Sequence, residues 1–234
     1  MEARVLFIER PISWDAGWAL QQQLLKWRIA DAIPDTLLVL QHTPVITLGR
    51  RGRDQHLLVD EAVLQSHGID LRTASRGGDA TYHGPGQVVL YPIMRLTEQD
   101  SGAHGYLHTL EQTAIRTAGS WGVDAWIREG KAGAWTAQGK IAAIGFKLSR
   151  WVSHHGISFN VDPDMTGFEA IVPCGLAGEP VASLATCLGA AGQAVPGLVD
   201  VAESMASHFC ALTGRHATVA HRELGELPAE WIPS

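Results

Sequence analysis

Short apolar runs separated by polar or glycine/proline breaks dominate the first part of the chain. Val5–Ile8 is one such run and reads as an edge strand. Ser13 precedes a segment in which Leu20, Leu24 and Trp27 fall at i, i+4 and i+7. That spacing predicts a helix capped by the Ser13 hydroxyl and reaching about Ile29. Leu37–Leu40 and Val45–Leu48 read as strands around the Pro44 break, and Asp60 to His67 fits a short helix closed by Gly68. Leu71–Ala74 then reads as a strand feeding a glycine-rich loop, and Val88–Met94 as the strand leaving it.

In the second half, Leu107, Leu110, Ala114, Ala118 and Trp121 form a helical stripe that Gly122 ends. The pattern from Val123 to Val161 is β: Ala134–Ala137, Ile141–Leu148 and Val152–Val161 predict a meander. Asp200 with Glu203 makes an N-terminal capping pair for a helix through about Leu212, stopped by Gly214. Helices and strands alternate without the βαβ repeat of a doubly wound sheet. The expected class is α+β, a mixed and largely antiparallel sheet with helices packed on it. No Ser/Pro-rich linker, charge block or internal repeat divides residues 1–234, so one domain is expected.

Composition narrows the function classes. Apolar residues are 46% and charged residues 18% of the chain, so a sizeable core can form and global disorder is excluded. The formal net charge of −6 argues against generic binding to nucleic acid or to an anionic membrane. It leaves room for a local basic patch, and the tightest is Arg50, Arg51 and Arg53. Three cysteines, Cys174, Cys187 and Cys210, are too few for a disulfide scaffold, and no Cys/His spacing reads as a metal site. The N-terminal Met-Glu-Ala-Arg lacks a signal-peptide pattern, and no apolar run approaches the ~18 residues of a membrane span. A reduced, soluble, cytoplasmic protein is expected.

Three segments carry candidate chemistry. Arg76-Gly77-Gly78-Asp79-Ala80-Thr81-Tyr82-His83-Gly84-Pro85-Gly86-Gln87 concentrates four glycines with a cation and polar side chains. Backbone N–H groups can approach a ligand closely in such a loop. The same composition also serves an ordinary turn joining two strands. Gly139-Lys140-Ile141-Ala142-Ala143-Ile144-Gly145 sets one lysine at the mouth of an apolar strand. Desolvation there favours the neutral amine and makes Lys140 a candidate base, while a snorkelling surface lysine fits the same pattern. Ile171-Val172-Pro173-Cys174-Gly175-Leu176 holds a thiol between Pro and Gly, off any helical or strand face. Cys187 and Cys210 lie in apolar surroundings and read as inert core thiols.

These three motifs, in this order, resemble the octanoyltransferases of lipoate biosynthesis, in the biotin/lipoate protein ligase-like superfamily. Gln41-His42, the stretch Gly49-Arg50-Arg51-Gly52, His155-Gly156-Ile157-Ser158-Phe159-Asn160 and Val181-Ala182-Ser183-Leu184 match as well. The resemblance spans about residues 36–212. It implies transfer of an octanoyl group from octanoyl-acyl carrier protein to a lysine of lipoyl-carrier domains. Those acceptors are domains of the 2-oxoacid dehydrogenase complexes and the glycine cleavage H protein. Cys174 would be the acyl-accepting nucleophile and Lys140 its activating partner. Arg76, Gly77, Gly78, Asp79, Ala80, Thr81, Tyr82 and His83, with Ala143, Ile144, Gly145, Gly156, Ile157 and Ser158, would line the substrate site. No cofactor and no metal are implied.

Two departures from the family pattern bear on acyl-chain length: Asp79-Ala80, where a longer polar residue and Val are usual, and Ile157-Ser158-Phe159, where Phe-Ala-Leu is usual. The principal alternative is an ATP-dependent lipoate-protein ligase on the same scaffold. Such ligases form an acyl-adenylate without a catalytic cysteine, so Pro173-Cys174-Gly175 favours transfer. A thiol hydrolase pairing cysteine with His42, His83 or His155, and a non-catalytic carrier-docking module, are the other classes.

Overall fold

The consecutive apolar residues of the N-terminal strands have a structural reason: both faces of these strands are buried. In β1 (Glu2–Ile8), Val5 and Phe7 enter one core and Leu6 and Ile8 another. β2 (Asp35–Leu40) and β6 (Gln87–Ile93) repeat the division. Leu37, Val39, Val88 and Leu90 lie on the first side, and Leu38, Leu40, Val89 and Tyr91 on the second. Successive side chains point to opposite faces, so a strand covered twice shows no polar alternation. The computed structural model describes residues 1–52, 57–172 and 179–222.

Among the described residues, eight strands form one sheet in the order β11 (His216–Arg222), β1, β2, β6, β10 (Val152–Asn160), β9 (Gly139–Ser149), β8 (Lys131–Thr136) and β7 (Trp126–Arg128). The pairs β11–β1 and β1–β2 are parallel and the rest antiparallel. A three-stranded sheet runs β4 (Asp70–Thr73), β3 (Val45–Leu48), β5 (Ala80–His83). The fold is α+β with a mixed, largely antiparallel sheet, as expected.

Helices α3 (Gly102–Gly119), α5 (Leu184–Ala190) and α6 (Leu198–Thr213) cover the first face of the large sheet. α1 (Trp14–Ile29) covers the second through Leu24 and Leu25, with Leu20 and Trp27 packed alongside. Ser13 caps α1, its hydroxyl oxygen accepting from the Ala16 N–H at 3.2 Å. α2 (Glu61–Ser66) and α4 (Thr166–Glu169) close the small sheet with Leu64 and Phe168. No described helix is long and apolar enough to cross a membrane.

Three expectations are corrected. β1 is not an edge strand, because β11, more than 200 residues away in sequence, pairs beside it. Its mixed sequence, His216-Ala217-Thr218-Val219-Ala220, carries too little apolar pattern to announce a strand. Asp200 does not cap α6: Gly197 is the N-cap, and Asp200 lies in the first turn, where a carboxylate meets the positive end of the helix dipole. The glycine-rich stretch is not loop throughout, since it contains β5.

Candidate active site

A narrow cavity of about 30 Å³ lies between the small sheet and the central strands of the large one. Most of the residues expected to line a substrate site form its wall: Arg76, Gly78, Asp79, Thr81, His83, Ala143, Ile144, Gly145, Gly156, Ile157 and Ser158. Strand period decides which members of the Arg76–His83 run take part. Along β5, Thr81 and His83 face the cavity, whereas Ala80 and Tyr82 face a core with Ile46, Leu64 and Phe168. The Tyr82 ring meets Phe168 edge-on at 5.3 Å, so neither Ala80 nor Tyr82 is a wall residue. Gly77 is also off the wall; its N–H donates to the Phe146 carbonyl at 3.0 Å and ties the loop to β9.

Arg76 is the fixed cation of this wall, only 8% exposed. Its Nη2 donates to the Thr47 carbonyl and to Thr47 Oγ1, both at 2.7 Å, and Nη1 donates to the Gly77 carbonyl at 3.1 Å. Gly145 is required beside it: a Cβ there would stand 2.7 Å from the Gly77 carbonyl oxygen and 3.0 Å from Arg76 Cδ. The backbone N–H groups of Arg50 and Arg51 donate to the carbonyls of Arg76 and Gly78, so the two arginines border this loop. Arg53 lies outside the described residues.

Around Arg76 stands a set of buried histidines. His83 Nδ1 lies 2.7 Å from Gln87 Oε1, while Gln87 Nε2 donates to Asn160 Oδ1 and the Tyr82 carbonyl. The Gln87 oxygen therefore accepts, which makes His83 Nδ1 the protonated nitrogen and leaves a lone pair on Nε2. Burial, helped by His42 and Arg76, pushes the His83 pKa down to about 3. His42 Nδ1 donates to the Ile12 carbonyl and its Nε2 accepts from the Tyr91 hydroxyl at 2.9 Å; burial lowers it to about 4. His155 has φ 55°, a left-handed conformation uncommon outside glycine. The Gln21 side-chain oxygen accepts its N–H at 2.8 Å and Trp18 stacks on its ring at 4.9 Å. Burial takes its pKa to about 2.

Trp14, Val89, Tyr91 and His155 also line the cavity. Val89 and Tyr91 share a face of β6 and carry no other sequence signal, whereas His155 opens the His155–Asn160 stretch that matches the family.

Lys140 is 7% exposed and does not line the cavity. Its Nζ lies 5.4 Å from the Trp135 ring centroid. Its N–H donates to the Pro180 carbonyl at 2.9 Å, and its carbonyl accepts from the Ala182 N–H at 3.0 Å. The Ala182 carbonyl accepts from Asn160 Nδ2, which joins this clamp to Gln87 and His83. The chain that follows residues 173–178 is thus bonded beside Lys140. Cys174 itself lies outside the described residues. Cys187 and Cys210 are buried thiols, as expected, and burial raises the Cys210 pKa. Among the described residues no cluster of three or more His, Cys, Asp or Glu forms a metal site.

The arrangement is an apolar slot with one fixed guanidinium, neutral imidazoles and a buried lysine nearby, on the fold of the lipoate-protein ligases. A putative lipoate protein ligase of Thermoplasma acidophilum, solved with bound lipoic acid, superimposes with a TM-score of 0.70 at 15% identity, over 95% of this chain and 90% of that one. A lipoate-protein ligase A bound with ATP gives 0.73 at 16% identity, over 95% and 90%. In sequence, residues 15–210 match the model of the lipoyl protein ligase A/B catalytic domain. An octanoyltransferase of Chloroflexus aggregans is 41% identical over 86% of this chain and 90% of its own length. One of Gloeobacter violaceus is 45% identical over 85% and 88%. The chain belongs to the lipoyl protein ligase A/B catalytic-domain family.

Proposed function

We propose that this protein is an octanoyltransferase of protein lipoylation, acting in the cytoplasm as a single acyltransferase domain. It moves the octanoyl group of octanoyl-acyl carrier protein through a thioester on Cys174 to a specific lysine of a lipoyl-carrier domain. The acceptors are those of the 2-oxoacid dehydrogenase complexes and the glycine cleavage H protein. The observation that carries this reading is the 41% and 45% identity to octanoyltransferases over most of both chains. Ala143, Ile144 and Ile157 supply the apolar wall an unbranched acyl chain packs against; at about 30 Å³ the cavity must widen to admit an octanoyl group.

In the first half-reaction the Cys174 sulfur attacks the donor carbonyl. A new S–C bond forms, the carrier's C–S bond breaks, and the Cys174 proton passes to the departing thiolate by way of Lys140. In the second, the acceptor amine attacks the same carbonyl. A C–N bond forms, the Cys174–carbonyl bond breaks, and the amine proton returns to sulfur by the same lysine. Exchange between thioesters is nearly isoenergetic and amide formation is downhill, so no ATP enters the balance. The clamp from Lys140 to Pro180 and Ala182 supports this pairing, since those two residues follow Cys174 within eight positions in sequence.

Intact-mass spectrometry after incubation with octanoyl-acyl carrier protein, in EDTA and without nucleotide, tests the reading. The chain should gain one octanoyl group, labile to hydroxylamine and mapping to Cys174. An adduct on Cys187 or Cys210 would overturn the assignment, and a requirement for ATP would move the protein to the ligases.

A further inference from the structure

The β9–β10 hairpin turns on Arg150 and Trp151, with Ser149 and Val152 as the last paired residues. Both turn residues have positive φ, 51° and 62°. Two-residue turns of this kind match the twist of the strands but favour Asn-Gly, because a Cβ crowds the backbone in the left-handed region. Arginine and tryptophan stand there at a conformational cost. Packing does not offset it: Trp151 is 62% exposed and joins none of the apolar cores among the described residues. Its carbonyl accepts from the Leu96 N–H at 2.8 Å, so the backbone fixes the tip without help from the indole. A strained tip that carries an exposed tryptophan points to a role outside the fold.

Cations border this tip. Arg95 Nη1 donates to the Arg150 carbonyl at 3.4 Å, and Arg95 Nη2 donates to the Ile29 carbonyl at 3.2 Å, so the tip and the end of α1 form one surface. Asp31 and Asp35 are taken up by Arg28, Arg95 and Arg215. Arg150 and Lys147 have no ion pair among the described residues. Glu98, two residues beyond Leu96, offsets part of this charge. The same face leads to the cavity. Ala143, Gly145 and Lys147 alternate onto one side of β9, paired with Ser158, Gly156 and His154 of β10. Arg150 follows Gly145 by five residues, roughly 17 Å of strand at the antiparallel rise.

We propose that the Arg150–Trp151 tip, with Lys147 and Arg95, is the docking surface for the protein that delivers the acyl group, an acidic carrier whose thioester hangs on a long flexible arm. Charge selects the partner: at −6 the chain as a whole repels an acidic protein, so productive encounter needs a local positive face. Arginine and tryptophan are among the side chains that dominate binding at interfaces. Distance selects the donor over the acceptor, because a phosphopantetheine arm spans the stretch from tip to cavity and a lysine side chain is far shorter. The role rests on the transfer reading of the cavity.

Arg150→Asn combined with Trp151→Gly rebuilds the tip as the turn its backbone favours. Its Tm should hold or rise, because glycine removes the left-handed strain. The KM for octanoyl-acyl carrier protein should nonetheless rise about tenfold, in the range lost at interface hot spots, and depend less on salt. Acylation by S-octanoyl-N-acetylcysteamine, a donor without a carrier protein, should be unchanged. A stable tip with a selective loss toward the carrier is a result that a merely structural turn does not give. An unchanged KM for the carrier-bound donor overturns the proposal, as does an equal loss with both donors. A rise confined to Arg50→Glu and Arg51→Glu would move docking to the border of the glycine loop and overturn it too. Sedimentation showing a dimer that the rebuilt tip abolishes would give the face to a second copy instead. Calorimetric titration with carrier protein lacking an acyl group reads docking without chemistry, and its affinity should fall by the same factor. If it does so in a protein that never acquires an octanoyl group, the transfer reading falls and the docking surface stands.

Discussion

Strand β9 borders two interiors of opposite character. At Ala143–Gly145 it faces the cavity, where His83 and His155 are buried beside Arg76 and their hydrogen-bond partners are neutral amides and hydroxyls. At Gly139–Lys140 it borders a belt in which Glu179 pairs with Arg128 and Lys131, and these two cations and Lys140 lie against the Trp135 ring. The cavity end is shielded from water and its imidazoles are neutral, with His42 and His154 near 4, His83 near 3 and His155 near 2, whereas the charged end is partly open to solvent. Glu179, held by two cations, is kept ionised down to about 2. Burial alone discharges a group; a partner of opposite sign keeps it charged. The division suits the proposed transfer, because a neutral acyl chain packs best where the neighbouring imidazoles carry no charge.

Four measurements break or sharpen that contrast. The largest effect is expected at the charged end. Lys140→Arg keeps the charge and most of the stem, but a guanidinium does not release its proton near neutral pH. Transfer should fall by about 10²–10⁴-fold, the usual worth of a proton-transfer group. Single-turnover assays of acylation and of release to the acceptor should both be slowed. Near-normal rates in both would leave Lys140 a structural residue and return the search for a base to His83 and His155.

Next is the neutral end, through acid. Each buried histidine binds its proton less tightly folded than unfolded, where the pKa is about 6.5. The folded protein is at full advantage above that value. Stability falls as pH drops below about 6.5, because the unfolded chain takes up protons that the folded one refuses, and the loss levels off only near the folded values of about 2–4. Each histidine contributes a slope of up to about 1.4 kcal/mol per pH unit in that window. Thermal melts between pH 7 and 4.5 should show a steep fall in Tm, shallower in His83→Gln. A flat profile would mean that these imidazoles take up protons inside the folded protein.

Gly145→Ala attacks the cavity wall without touching charge. The new methyl would meet the Gly77 carbonyl, which is backbone, so the loop must shift. A stability loss of about 1–3 kcal/mol is typical of such overpacking, and urea titration reads it. Acylation should fall as well, and an unchanged midpoint would show the loop to be more yielding than this packing implies.

The smallest effect is expected for Glu179→Gln. Its ion pairs with Arg128 and Lys131 are partly open to solvent, so stability should change little and the change should shrink with added salt. A large, salt-independent loss would place this cluster with the buried interior.

Much of the fold could be read locally. The Ser13 cap, the Val45–Leu48 strand and the meander from 131 to 160 appear where their patterns put them, because caps, β-branched runs and turns act over a few residues. β5 was hidden because glycines on both sides of four residues read as loop, and its strand exists through pairing with β3. The burial of Glu111 on α3 was unreadable for a different reason. A glutamate on a helix satisfies the pattern of a solvated face, and only the packing of α3 against β8 and β9 brings it to Gly133.

By itself, then, the order of residues determined the class of fold and which motifs carry polar chemistry, since both depend on interactions between near neighbours in the chain. Tertiary structure alone decided which side of each motif is used. Thr81 and His83 face the cavity while Ala80 and Tyr82 enter a core, because β5 pairs with β3 in one register and its side chains alternate. It also decided which buried groups carry charge, because counter-ions such as Asp35 for Arg215 come from segments distant in sequence, and only folding brings them together.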